Sequence, residues 1–161
     1  INYITAFVLL FGLYSCDNHE IKSQLPINDT TEILKLALME SISDSSMPDA
    51  SSSINKSPSG DTVIITTSLI PFDKVPSSVG GVTFKVLPDS LICETLDKSK
   101  GYYNTPRYLD IRRFEKTDTT YYLHIICISC GQFPSGGLLA LNYQKINNVF
   151  ILKHKGSSSI N

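Results

Sequence analysis

The sequence predicts an α+β domain: an N-terminal helix packed on a curved, mainly antiparallel sheet that ends in a four-strand meander. Three observations predict it. One stretch with helical apolar spacing, residues 28–42, precedes every strand-like run. From Thr62 onward the apolar period changes from about four to two. The last four apolar runs are long and mostly separated by very short polar connectors, the pattern of successive hairpins.

The helix comes first. In "NDTTEILKLALMESI", Asp29 stands where it can cap the first turn, with Glu32 three residues on at the spacing of a capping box. Leu34, Leu38 and Ile42, beside Ile33 and Ala37, form one apolar stripe, while Glu32 and Lys35 fall on the other side. Such a helix needs a sheet to pack on. Residues 43–61 are Ser/Pro-rich without periodicity and read as a mobile loop.

"TVIITTSLI" (62–70) and "VTFKV" (82–86) are β-branched and strand-like, with Pro71, Pro76 and Gly80-Gly81 interrupting them. "PDSLICETLDKS" (88–99) opens on proline and carries Leu91, Ile92, Thr95 and Leu96 at helical spacing, which predicts a short helix. The meander follows as "RYLDIRRFEK" (107–116), "TTYYLHIICIS" (119–129), "LLALNYQKI" (138–146) and "VFILKHK" (149–155). Thr117-Asp118 and Asn147-Asn148 are tight-turn material, and "CGQFPSGG" makes a wider turn. The second run is apolar on both faces, which predicts a central strand covered on both sides. This order resembles the α+β cone of NTF2-like and cystatin-like domains over residues 60–161. The resemblance is one of topology, and such folds host enzymes, binders and scaffolds alike.

Ahead of the domain stands "ITAFVLLFGLYSC". A membrane span needs about 20 apolar residues. Ile4 to Tyr14 supplies about 11, the length of a secretory h-region, before Asp17, Asn18, His19 and Glu20 end it. Leu13-Tyr14-Ser15-Cys16 resembles the lipobox of bacterial lipoproteins, and Asp17 and Glu20 behind it look like the surface-export tag of Bacteroidota lipoproteins. The resemblance implies that residues 1–15 are a signal peptide and that Cys16 becomes the acylated first residue; the alternatives are a short buried helix that ends in Cys16 and an uncleaved anchor. Residues 16–28 are then a tether to a single domain at 29–161. It also implies a membrane partner through the acyl chains, and a place in the cell envelope: outer membrane, periplasmic or surface face. Several acyl chains hold a protein far more firmly than one.

Composition narrows the function. The formal net charge is −1 with no basic stripe, so nucleic acid is not an expected partner. Beyond Cys16 three cysteines remain, Cys93, Cys127 and Cys130, an odd number that leaves at least one thiol outside intramolecular pairing. Cys127-Ile128-Ser129-Cys130 has the spacing of thiol oxidoreductases, whose first thiol is activated at a helix N-terminus. Here the pair ends a strand and meets a turn, which favours structural thiols or a disulfide over redox catalysis. Zinc commonly takes four ligands from two such pairs, and only one pair is present, so no metal and no cofactor are expected.

His124 alternates with Tyr122, Ile126 and Ile128. On a face lining a hollow it is a candidate base or ligand contact near neutral pH; in a core it is a hydrogen-bonded structural residue. In "LDIRRFE", alternation puts Asp110 with Arg112 on one face and Arg113 with Glu115 on the other. Asp110 and Arg112 are candidates beside His124 for a polar or anionic ligand; the alternative is a solvated charged face. Asp29-Thr30-Thr31, Asp61-Thr62-Val63, Asp89-Ser90-Leu91 and Asp118-Thr119-Thr120 resemble the short O-glycosylation signal of exported Bacteroidota proteins. That marks Thr30, Thr62, Ser90 and Thr119, although Asp-Ser/Thr is also common at caps and turns.

A phosphate loop, a Gly-x-Ser-x-Gly elbow and a His-Glu-x-x-His pair are all missing from the sequence. No convergent acid, base, nucleophile or metal set appears. The expectation is a lipid-anchored envelope protein whose domain, without catalysis, binds an envelope partner or a small ligand or does accessory work in an envelope complex. The alternative is an NTF2-like pocket that binds or transforms a small apolar molecule, with thiol chemistry at Cys127 and Cys130 as a third class.

Overall fold

The computed structural model describes residues 27–43, 61–96, 107–130 and 136–160. Cys16, its leader, most of the tether and residues 44–60 lie outside the described residues. The elements are α1 (Ile27–Ser43), β1 (Thr62–Thr66), a 3-10 turn (Phe72–Lys74), β2 (Ser78–Val79), β3 (Val82–Val86) and α2 (Asp89–Thr95). The meander follows as β4 (Arg107–Thr117), β5 (Thr120–Ser129), β6 (Gly136–Ile146) and β7 (Val149–Ile160). The seven strands form one curled sheet in the order β2-β3-β1-β4-β5-β6-β7. The α+β class and the C-terminal meander are as the sequence predicts.

The sheet is mixed at its N-terminal end. β1 runs parallel to both neighbours, with Thr62 opposite Thr83 on β3 and Ile65 opposite Leu109 on β4. The remaining pairings are antiparallel. The β6–β7 turn has Asn147 at φ 48° and Asn148 at φ 65°, the two positive values of a type I′ hairpin, a region Asn tolerates. The β4–β5 turn lies one residue later than expected, at Asp118-Thr119, with Asp118 at φ 50°. Gly136 is dictated by contact: a Cβ there would stand 1.8 Å from the Cys127 carbonyl oxygen.

Helix α1 lies against one face, and both margins of the sheet reach it. A Cβ placed on Gly80, in the β2–β3 turn, would meet Met39 Cε at 3.0 Å. Lys155 on β7 pairs with Glu40 at 2.8 Å. Ile33, Leu34, Ala37 and Leu38 are fully buried against Val63, Ile65, Leu109, Leu123, Ile125 and Leu139. Each large aliphatic side chain so buried contributes roughly 1.5–3 kcal/mol. The predicted stripe is therefore the one that packs.

Two local expectations need correcting. Helix α1 starts at Ile27, so Asp29 is its third residue and not its cap. The capping box does not form: Glu32 pairs with Lys35 at 2.8 Å, and Asp29 reaches the sheet instead. Strand β5 is central but not covered equally on both sides. Tyr121, Leu123, Ile125 and Cys127 are buried beneath α1, while Tyr122, His124, Ile126 and Ile128 are only half-buried. On that second face, among the described residues, α2 covers one end, where Ile92 and Leu96 pack with Ile64 and Tyr108.

Candidate functional site

The face away from α1 carries the candidate residues, and a bulge assembles them. In the β4–β5 ladder, Ile111 stands opposite Ile125 and Arg113 opposite His124, so Arg112 is an extra residue. A bulge of this kind resets the alternation of the strand beyond it. Asp110 is paired with Ile126 before the bulge, and Glu115 with Tyr122 after it. Directly opposed residues share a face. Asp110, Arg113 and Glu115 therefore lie together with Tyr122, His124 and Ile126, where strict alternation separates Asp110 from Arg113. Two successive arginines in an otherwise alternating strand were the only sequence signal of this.

The charges on this face neutralise one another in pairs. Arg112 Nε lies 2.5 Å from Asp110 Oδ2, the Asp110 side chain being 7 % exposed and that of Arg112 57 %. Arg113 Nη2 donates to Glu115 Oε2 at 2.6 Å, and its guanidinium carbon stands 5.3 Å from the centre of the Tyr122 ring. Burial raises the Asp110 carboxyl above its ordinary range; Arg112 opposes this, and Asp89 in the first turn of α2 adds to it. Burial lowers the His124 pKa, Arg113 lowers it further, and Glu115 opposes both. The net effect favours the neutral imidazole of His124, which is flanked by Arg113 on β4 and Ala140 on β6.

Beyond His124 the face continues over β6 and β7 through Leu138, Ala140 and Asn142 to His154, which is paired with Asn142. It joins half-buried apolar side chains to a rim of charge and an aromatic ring. The α1 side, by contrast, is filled: Tyr121, Tyr143 and Phe84 are buried there, with Phe114 and Phe150 packed against them. Asp110, with Arg112 paired to it, thus lies on the same open face as His124 and not inside the hollow that α1 occupies, while the charges acting on His124 are those of Arg113 and Glu115.

The cysteines divide between the two faces. Cys93 of α2 and Cys130, just past β5, form a disulfide across 37 residues with 5.4 Å between their Cα atoms. Cys127 is buried beneath α1. Among the described residues no cluster of three His, Cys, Asp or Glu side chains is placed to hold a metal ion. Of the glycosylation candidates, Thr30 is buried in α1 and Thr62 is half-buried in β1, while Ser90 and Thr119 are exposed. Among the described residues no helix is long and apolar enough to cross a membrane.

Comparison with protein-family models, with curated proteins and with solved structures finds no match.

Proposed function

We propose that this chain is a lipid-anchored cell-envelope protein. Its domain holds a recognition surface, the open sheet face around Tyr122 and His124, for an envelope partner or a small ligand. The anchor is Cys16, behind the lipobox-like Leu13-Tyr14-Ser15. The binding role rests on one observation, the pairwise neutralisation on that face.

Asp110 is tied to Arg112, and Arg113 to Glu115. A catalytic set needs a base within hydrogen-bond reach of a nucleophile or acid it activates. Here His124 sits between an arginine and an alanine, which supports recognition over acid–base turnover. Arginine stacked on tyrosine beside aliphatic side chains is the composition favoured at interface centres.

The anchor is tested by metabolic labelling with a fatty acid in a bacterial host. Label should enter the wild-type chain and be lost in Cys16→Ala; equal labelling of the two contradicts the anchor. The surface is tested by placing a photo-crosslinking residue at Tyr122 and, as a control, at Glu32 on the exposed side of α1. Adducts from position 122 alone support the surface, and equal adducts from both positions contradict it.

A further inference from the structure

We propose that the tip of the β6–β7 hairpin is a membrane-contact surface, with Ile146, Val149 and Ile151 seated at the acyl boundary of the bilayer that holds Cys16. This rests on the lipid-anchor reading and adds an orientation and a second contact to it.

The first observation is an apolar tip that stands exposed among the described residues. Val149 is 60 % exposed, Ile151 41 % and Ile146 38 %. Ile146 stands opposite Val149, and Ile151 opposite Gln144, so all three project from the same face of the hairpin. Leu152, on the other face of the edge strand, is 36 % exposed. Single exposed aliphatic residues are ordinary, but several at one hairpin end make a contact surface.

The second observation is where the chain outside the described domain joins it. Asp29, in the first turn of α1, is bonded to Lys145 and to Tyr121. Lys145 directly precedes Ile146, and its amide donates to the Thr119 carbonyl in the β4–β5 turn at 2.7 Å. The start of α1 and both hairpin tips therefore share one end of the molecule. The eleven residue steps from Cys16 to Ile27 span at most about 40 Å. Val149 to Ser159 on β7 covers about 33 Å. Turning the far end to the membrane would consume most of that reach simply in passing the domain. The tether thus favours the end that carries the apolar tip.

Charge at this end is mixed, with Lys116 and Asp118 at the β4–β5 turn and Lys153 on β7, so the contact is apolar and suits a neutral bilayer surface. β7 is the edge strand, so its outer N–H and C=O groups stay in the hydrated headgroup region while the apolar side chains alone reach the acyl boundary.

The chain contains no tryptophan, so a single introduced one reports alone. The full chain carrying Val149→Trp, expressed with its leader in a bacterial host and purified from membranes, is reconstituted into phosphatidylcholine vesicles with brominated acyl chains. Ile151→Trp is the second reporter and Ser159→Trp the far-end control. Blue-shifted, bromine-quenched emission from positions 149 and 151, with unshifted emission from 159, is the expected result. Acylated protein that floats with the vesicles yet shows no quenching at 149 or 151 overturns the hairpin contact and leaves the anchor standing. Quenching at all three positions overturns the orientation. Protein without acyl chains by mass spectrometry overturns both.

Discussion

Asp29 and Lys145, 116 residues apart, are joined by an ion pair of 2.5 Å that ties the first turn of α1 to the end of β6. The same carboxylate accepts a hydrogen bond from Tyr121 Oη at 3.0 Å. Burial and this bond together push the Tyr121 phenol up to about 12. Lys145 is the main cause holding the Asp29 carboxyl below its ordinary 3.8, against the opposing effect of burial.

Asp29→Asn should therefore destabilise the fold at pH 7 by about 1.5–3 kcal/mol, the range for hydrogen bonds to a charged group. A carboxyl with a depressed folded-state pKa contributes stability above its unfolded value and loses it as pH falls through the folded one. In urea titrations the gap between wild type and Asp29→Asn should close below about pH 4. An equal gap at pH 7 and pH 3 would contradict the pairing.

Asp110 behaves in the opposite sense. Its raised pKa means that burial of the charge costs stability as pH rises through the folded value, a cost the Arg112 partner reduces. Removing the partner alone leaves the carboxylate buried and unpaired. Arg112→Ala should cost about 1–3 kcal/mol at neutral pH, while Asp110→Asn costs less. Carboxyl NMR titration should find Asp110 above 3.8, and higher again in Arg112→Ala.

His124 is read by its imidazole titration. Arg113→Ala should raise its pKa toward 6.5, and Glu115→Ala should lower it further, because the two charges act in opposite directions. With the folded pKa depressed, stability from His124 is complete above about pH 6.5 and declines as pH falls below it. No movement in either variant would contradict the shared face that the bulge creates.

How much of this was legible beforehand differs from element to element. The apolar stripe through Leu34 and Leu38, the four meander strands and the Asn147-Asn148 turn all follow from local period and turn chemistry. The parallel placement of β1 between β3 and β4 does not, because strand order depends on contacts between segments far apart in sequence. The bulge at Arg112 is likewise a property of two paired backbones, so alternation along one strand misassigned Arg113 and Glu115. Asp29 reads locally as a cap; its real partners, Tyr121 and Lys145, are supplied by the tertiary fold.

The disulfide between Cys93 and Cys130 pins α2 over the end of the sheet. Closing a loop of this length is worth about 2–4 kcal/mol. Cys93→Ser should lower stability by that amount, and a reductant should produce the same loss in wild type but none in the variant. Cys127, buried beneath α1, should resist alkylation in the native protein and react once denaturant opens the core.

The central claim is that Cys16 is the point at which the mature chain meets lipid. Mass spectrometry of the N-terminal peptide from membrane-purified protein tests it most directly. The account predicts a chain that begins at Cys16 and carries acyl chains on its sulfur and amino group. A peptide running through "LLFGLYSCDN" with an unmodified thiol would contradict it.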